Sequence, residues 1–215
     1  MLLRCTASRE GKLNTFLRRE LSMSSSLVSR LKWQNALLVN GAPAHTGHPV
    51  RTGDEVAVRL EETVEGFSPE EMPLSILYED EALIALDKPA GLLTHPSPCR
   101  NDGTLANGLL AYYQKTGQRC GIHPVSRLDR DTFGVVLLAK NAYVHEKFRQ
   151  LHQSGGIRKT YRACVYGVPD ADCGTIDLPV FKLGGGSLLR IVDVRGQQAV
   201  TEFAVLRRWK RTALL

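Results

Sequence analysis

The stretch SRLDRDTFG at residues 126–134 is followed directly by VVLLA at residues 135–139. The apolar run predicts a buried strand, and the polar residues ahead of it predict a loop that leads into that strand. Asp129 stands in this loop between Arg127 and Arg130, and cations beside a carboxylate favour its charged form. Because packing alone rarely requires such a group of charges, we interpret the loop as a site that binds a polyanion and uses a carboxylate in chemistry.

An isolated Arg-Leu-Asp triplet more often has a structural role than a chemical one. In that alternative, Asp129 caps a turn and Asp131 is its solvent-facing partner. The triplet alone leaves both interpretations open, so the rest of the chain has to decide between them.

The whole-chain composition favours a folded protein with an acidic partner. A length of 215 residues suits one large domain or a small and a medium one, and a hydrophobic content of 43% is enough for a core. The net charge of +6 favours nucleic acid as the partner, although an unspecialised basic protein fits the charge almost as well.

Cysteine and histidine spacing predicts reduced thiols and no metal site. The five cysteines, none of them in a Cys-x-x-Cys pair, are Cys5, Cys99, Cys120, Cys164 and Cys173. His45 and His48 lack a second pair of ligands at zinc spacing. Arg4 interrupts the apolar start of the chain, and no apolar run approaches about 18 residues. We therefore expect a cytoplasmic protein without a signal peptide or a membrane span.

Residues 1–60 begin with two predicted amphipathic helices. The apolar residues of the first recur at helical spacing and are Leu13, Phe16, Leu17 and Leu21. A cap at Ser24-Ser25-Ser26 opens the second, whose apolar residues are Leu27, Val28 and Leu31. The basic residues on or near the two helices are Arg18, Arg19, Arg30 and Lys32. Such a helix pair can track RNA phosphates, although a solvated helix face is the usual meaning of such residues.

Two short predicted strands complete this module. They span 36–39 and 55–60, and turns fall at Asn40-Gly41 and Gly53-Asp54. With its Val-Asn-Gly and Gly-Asp turns, the order of elements resembles a small RNA-binding module first described in a ribosomal small-subunit protein. The resemblance favours RNA binding by the four basic residues.

The acidic, proline-bounded segment 61–73 predicts a linker, so residues 74–215 form a second domain. Its predicted strands span 75–78, 82–86, 134–140, 160–166, 187–194 and 200–207. Thr104 opens one helix, another carries Phe148, and the glycines at 184–186 form a turn. Strands paired by turns, with helices between them, predict an α+β fold with a mixed, mainly antiparallel sheet.

Three separate motifs occur in order in the second domain. They are DEALIALDKPAGLLTHP at 80–96, RLDRDTFG at 127–134 and KTY at 159–161, the last on a predicted strand. Together they resemble the pseudouridine synthases of the RluA type over about residues 74–206. Many members of that family also carry the small RNA-binding module ahead of the catalytic domain. The resemblance therefore favours the chemical role of Asp129 over the structural one.

The resemblance implies isomerisation of uridine to pseudouridine in structured rRNA or tRNA. It implies that Asp129 is the nucleophile, attacking either the anomeric carbon or the uracil double bond. Tyr161 is expected to stack on the target base and take part in proton movement, although a lone strand tyrosine is more often a buried core residue. Arg127 is expected to fill the gap left by a flipped nucleotide, with Arg130 as a further RNA contact.

Lys88, Pro89 and Gly91 of the first motif are expected to shape the active-site wall without taking part in catalysis. The implied reaction is an internal exchange of bonds, so it needs neither a metal nor an organic cofactor. RNA is the implied partner, no membrane is involved, and we expect a monomer.

Two features depart from the family pattern. Phe133 stands where the family usually has a serine, and we expect its ring to crowd the loop or alter its hydrogen bonding. Beyond the position of Leu215, the family continues with a Gly-Arg-x-His-Gln-Ile-Arg-like motif that supplies a basic residue facing the aspartate. We therefore expect a catalytic domain incomplete at the C-terminus, with an unpaired sheet edge and weak or no isomerase activity.

Two other functions remain open. An RNA-binding protein without catalysis would use the N-terminal module and a degenerate second domain. A small-molecule hydrolase built on Asp129 lacks an obvious partner acid or base and leaves the basic module without a role.

Overall fold

A computed structural model of the protein describes residues 1–62, 64, 66–97, 100–184 and 189–215. The chain divides into two compact units, Met1–Ile157 and Arg158–Leu215. Cys99, the last two glycines of the turn predicted at 184–186 and the first residues of the strand predicted at 187–194 lie outside the described residues. The linker predicted at 61–73 falls within the first unit, and the domain boundaries stay a prediction.

Residues 1–60 form an antiparallel sheet that shares one apolar core with two helices. In chain order the elements are β1 (Leu2–Thr6), β2 (Gly11–Lys12), α1 (Leu13–Arg19), α2 (Ser25–Trp33), β3 (Leu37–Val39), β4 (Ala42–Pro43), β5 (Pro49–Val50) and β6 (Glu55–Arg59). The sheet order is β1-β6-β3-β4, and β2 pairs with β5. Both predicted helices are present, and Ser24 caps α2 as predicted because its Oγ accepts from the amide of Leu27.

The two turns predicted in this module are bonded to each other. Asn40 (φ +50°) and Gly41 (φ +79°) both adopt positive φ, as the tight β3–β4 hairpin requires. Asn40 Nδ2 donates to Asp54 Oδ1 at 2.8 Å, and the amide of Arg51 donates to Asp54 Oδ2 at 2.7 Å. The bond from the Arg51 amide, followed by that from Asn40, lowers the pKa of Asp54. The hydrogen bond between Asn40 and Asp54 thus fixes the Val-Asn-Gly turn against the Gly-Asp turn.

A second antiparallel sheet in the first unit packs against α3. The elements are β7 (Ser75–Glu79), β8 (Leu83–Lys88), α3 (Leu105–Lys115), β9 (His123–Pro124), β10 (Gly134–Ala139) and, after them, α4 (Ala142–Gln153). The sheet order is β7-β8-β10-β9. Leu86 and Val136 are register partners and share a core with Leu109 and Tyr113 of α3. Thr104 caps α3, as predicted.

Glu62 ties the segment between these two sheets to three elements. Its Oε1 accepts from Arg30 Nη2 of α2 at 2.6 Å and from the amide of Ala142 in α4 at 2.9 Å. Its Oε2 lies 2.5 Å from His123 Nε2 in β9. Burial acts to raise the pKa of Glu62, but the bonds from His123 and Ala142 outweigh it, and the pKa is lowered.

We expect Glu62→Gln to lower the free energy of unfolding by about 2 kcal/mol at neutral pH, because three donors lose a charged acceptor. The carboxylate contributes in full above its ordinary pKa of 4.5, and the contribution is lost as the pH falls through the lower folded-state value. Urea unfolding across the acidic range measures this, and the variant should lose less stability than the wild type as the solution is acidified. Glu61→Gln is the control, because Glu61 is exposed and lies 3.9 Å from Arg119. Equal effects of the two substitutions would contradict the prediction.

The second unit consists of short antiparallel strands. They are β11 (Cys164–Tyr166), β12 (Cys173–Asp177), β13 (Val180–Lys182), β14 (Arg190–Val192), β15 (Val200–Ala204), β16 (Arg207–Arg208) and β17 (Thr212–Leu214). β17 pairs with β11 and β16, β12 pairs with β15, and β13 pairs with β14. With the first unit, these strands confirm the predicted α+β class with mainly antiparallel sheets. Within the described ranges, every helix is too short or too polar to cross a membrane.

Three strands predicted in this unit are shorter or divided in the structure. The strand predicted at 160–166 begins only at Cys164, so placing Tyr161 on a strand was wrong. The pairing of β11 with β17 ends at Ala163 and Leu215, whose backbone amides and carbonyls bond to each other. In the described part of the chain, residues 160–162 have no strand to pair with. The strand predicted at 200–207 divides into β15 and β16, and β14 is the paired part of the one predicted at 187–194.

Candidate active site

Asp129 lies in an irregular loop between β9 and β10. The amide of Thr132 donates to the backbone carbonyl of Asp129 at 3.2 Å, so the main chain closes the turn and the carboxylate does not. The side chain of Asp129 is exposed, and none of the described residues donates a hydrogen bond to its carboxylate. Asp131 instead pairs with Arg130, whose Nε is 3.1 Å from Asp131 Oδ1. The Asp129 carboxylate is therefore exposed and has no hydrogen-bond donor among the described residues.

The backbone on both sides of Asp129 is held by residues of the first motif. Thr94 Oγ1 donates to the carbonyl of Leu128 at 3.0 Å, and the amide of Gly91 donates to the carbonyl of Arg130 at 2.9 Å. Gly91 has a φ of +84°, a conformation that side chains rarely adopt. The loop is thus fixed through its main chain, and the carboxylate it presents stays unengaged.

Lys88 is the buried cation of this site. Its Nζ donates to the carbonyls of Pro89, Leu92 and Arg130 at 2.8, 2.7 and 2.9 Å, and the residue is fully buried. Burial lowers the pKa of the Lys88 ammonium, and the negative charges of Asp131 and Asp129 oppose that shift. Because all three hydrogen bonds go to main-chain atoms, they suit the wall role predicted for Lys88.

The other residues predicted for this site are exposed. Arg127 pairs with no carboxylate in the described part of the chain, whereas Arg130 is engaged by Asp131. Tyr161 lies in the second unit, in the irregular segment before β11. Its ring is 55% exposed, which excludes the alternative of a buried core tyrosine. A joint action of Tyr161 and Asp129 stays a prediction.

The four basic residues of the N-terminal module divide into two groups. Arg18 and Arg19 end α1, Lys32 lies in the last turn of α2, and all three side chains are exposed. Arg30 is instead bonded to Glu62. Cations at the C-terminus of a helix also interact favourably with its dipole, so their position alone does not require RNA.

Phe133 does not crowd the loop, so that part of the expectation is wrong, and the altered hydrogen bonding stays a prediction. Its ring is 75% exposed, so it displaces no packed neighbour. Gly134, the next residue, has a φ of +116° and turns the backbone before β10 begins. The sequence shows an aromatic residue here, but its exposure could not be read from the local pattern.

The described thiols and histidines form no assembled metal site. Cys5, Cys120, Cys164 and Cys173 form no disulfide among the described residues. Within the ranges that the structure describes, no group of three or more His, Cys, Asp or Glu side chains is placed to hold a metal ion.

Comparison with known families assigns most of the chain to one family. Residues 82–215 match the family model described as RNA pseudouridylate synthase. The chain therefore belongs to the RNA pseudouridylate synthase family, as its three motifs predict.

Individual relatives agree with this assignment. The chain is 34% identical over 189 residues to the uncharacterized RNA pseudouridine synthase YjbO of Bacillus subtilis, covering 86% of this chain and 67% of that protein. It is 35% identical over 177 residues to ribosomal large subunit pseudouridine synthase D of Pseudomonas aeruginosa, covering 81% and 54% respectively. The solved human RNA pseudouridylate synthase domain containing 4 aligns with a TM-score of 0.51 at 25% identity, over 65% of this chain and 56% of that chain. The chain thus spans about half to two-thirds of the length of these relatives.

Proposed function

We propose that this protein isomerises uridine to pseudouridine in RNA, with the Asp129 carboxylate as the nucleophile. The observation that carries the proposal is the unengaged, exposed carboxylate on a loop whose backbone is fixed on both sides. A fixed loop holds a nucleophile in position before the substrate arrives, and this preorganisation lowers the barrier to reaction.

The reaction is balanced without a second substrate. The uridine is first turned out of the RNA, because a stacked base hides its glycosidic bond. Asp129 attacks the anomeric carbon or the uracil ring, the carbon–nitrogen bond to ribose breaks, and the base turns. A bond then forms from the anomeric carbon to C5 of uracil, C5 loses its proton, N1 gains one, and the carboxylate is released.

The remaining predicted residues serve RNA binding in this proposal. The exposed guanidinium of Arg127 stacks in the gap that the flipped nucleotide leaves, and Arg130 contacts the neighbouring backbone. Residues 1–60 bind the same RNA through Arg18, Arg19 and Lys32, with Arg30 helping to fix the module. The name of the Pseudomonas relative favours ribosomal RNA over tRNA as the substrate. The cytoplasmic location predicted from the sequence is part of this proposal.

Release of tritium from RNA labelled at C5 of uridine tests the proposal directly, because the label leaves only when C5 joins ribose. Release by the 215-residue chain supports isomerisation. RNA binding without tritium release supports the alternative of an RNA-binding protein without catalysis. If the protein neither binds RNA nor releases tritium, both functions are contradicted.

We expect Tyr161→Phe to lower tritium release by about 100-fold with RNA affinity unchanged, because the ring can still stack but the hydroxyl can no longer move a proton. Tyr166→Phe is the matched control, since Tyr166 is 96% exposed in β11 of the same unit. Equal activities of the two variants would show that Tyr161 does not handle a proton.

A further inference from the structure

Phe133 exposes an aromatic ring beside the proposed nucleophile. A hydrogen bond closes the turn from Asp129 to Thr132, which limits the Cα separation across that turn to about 7 Å. Phe133 is the next residue, so its Cα lies within about 11 Å of that of Asp129. Leaving a phenyl ring 75% in water forgoes most of the stabilisation that its burial would provide. The fold therefore gains little from this side chain.

The surface around the ring is mainly apolar and exposes no cation. Phe133 adjoins an open cavity of about 540 Å³ that Pro89, Ala90 and Leu105 also line. The ionic residues along the cavity are Asp87, which is exposed, and Lys88, whose ammonium is buried against main-chain carbonyls. Such a wall suits a neutral planar group better than a phosphate.

Cations lie on the same loop but outside this cavity. Arg127 and Arg130 are exposed a few residues before Phe133, and neither lines the cavity. An RNA strand presents neutral flat bases on one side and charged phosphates on the other, which matches this division. A second copy of this +6 chain would bring cations to cations, so charge complementarity favours RNA as the occupant.

We propose that Phe133 is a stacking platform for an unpaired base that neighbours the target uridine. This inference rests on the proposed function, because it places the base next to the residue that Asp129 attacks. Stacking on Phe133 occupies a neighbour and so helps to keep the target nucleotide unstacked from it.

Photocrosslinking and affinity test the platform without requiring turnover. Single-stranded RNA carrying 5-iodouridine in place of uridine is irradiated with the protein, and mass spectrometry maps the crosslinks. We expect a crosslink on the peptide that contains Phe133. Phe133→Ala should remove it and weaken binding by about tenfold, whereas Phe133→Tyr should keep both. Val135→Ala is the matched control, because Val135 is 62% exposed two residues away and has no ring; its affinity should change less than about twofold.

Three outcomes would overturn the inference. They are absence of a crosslink at Phe133, equal RNA affinities of Phe133→Ala and the wild type, and an RNA-independent self-association that Phe133→Ala abolishes. A Phe133→Ala protein that binds RNA normally while the wild type releases tritium would refute the platform and leave the proposed function standing. A Phe133 crosslink without tritium release would refute the proposed function and retain the contact.

Discussion

We expect Asp129→Asn to abolish pseudouridine formation and to leave RNA binding intact. Tritium release should fall by at least about 1,000-fold, while the dissociation constant for RNA changes by less than about threefold. The amide keeps the size of the side chain but lacks a nucleophilic oxygen. None of the described residues is bonded to this carboxylate, so the substitution should remove no contact that holds the loop. Tritium release and filter binding on the same preparation measure the two effects.

Asp131→Asn is the matched control for this experiment. Asp131 lies in the same loop, is also exposed, and loses the same charge when changed to asparagine. Its carboxylate pairs with Arg130, so we expect a loss of activity below about tenfold. Equal losses from the two substitutions would mean that the loop needs negative charge in general, and Asp129 would no longer be assigned as the nucleophile.

Local chemistry explains which elements could be predicted from the sequence. The starts of α2 and α3 were predicted because Ser24 and Thr104 bond to amides only three residues away. The first strand, Leu2–Thr6, was missed because it depends on pairing with β6, whose residues lie far away in the sequence. Tyr161 was misplaced for the same kind of reason. Residue propensity predicts an extended segment, but the segment becomes a strand only where a neighbouring strand pairs with it.

The candidate site shows the same limit. Asp129, its arginines and the wall residues could be chosen from compact motifs, because each motif lies within one short stretch. The bond from Thr94 to Leu128 and that from Gly91 to Arg130 join two motifs that are distant in sequence, and only the fold brings them together. These two bonds give the first motif a physical role. It supplies hydrogen-bond donors to the main chain on both sides of Asp129.

The exposed side chain of Asp129 contrasts with the hydrogen-bonded backbone that carries it. A carboxylate that is engaged by its own protein has to give up those contacts before it can react. Here the carbonyls of Leu128, Asp129 and Arg130 all accept hydrogen bonds, so the backbone supplies the order that the side chain does not. In the proposed mechanism, the main-chain carbonyls hold the loop in position, and the Asp129 carboxylate stays available to react.

Lys88→Met should have the largest effect on this arrangement. The carbonyls of Pro89 and Leu92 lose their donor, while that of Arg130 keeps only the amide of Gly91. Buried acceptors without a partner are costly, so we expect a loss of about 3 kcal/mol in the free energy of unfolding. We also expect activity to fall by about 100-fold at a temperature where the variant is folded, because a small displacement of a nucleophile has an effect of that size.

Amide hydrogen exchange separates a local effect on the loop from a general loss of stability. In Lys88→Met, exchange at Gly91 and Thr132 should accelerate more than exchange in α3, because their amides bond to the carbonyls that flank or belong to Asp129. Lys115→Met is the control, since Lys115 is exposed at the end of α3 and should change stability by less than about 0.5 kcal/mol. Uniform acceleration with normal activity in the folded variant would make Lys88 a core residue only. Faster exchange at Gly91 and Thr132 alone, together with lost activity, would instead show that Lys88 positions the Asp129 carboxylate through the backbone, without touching the substrate.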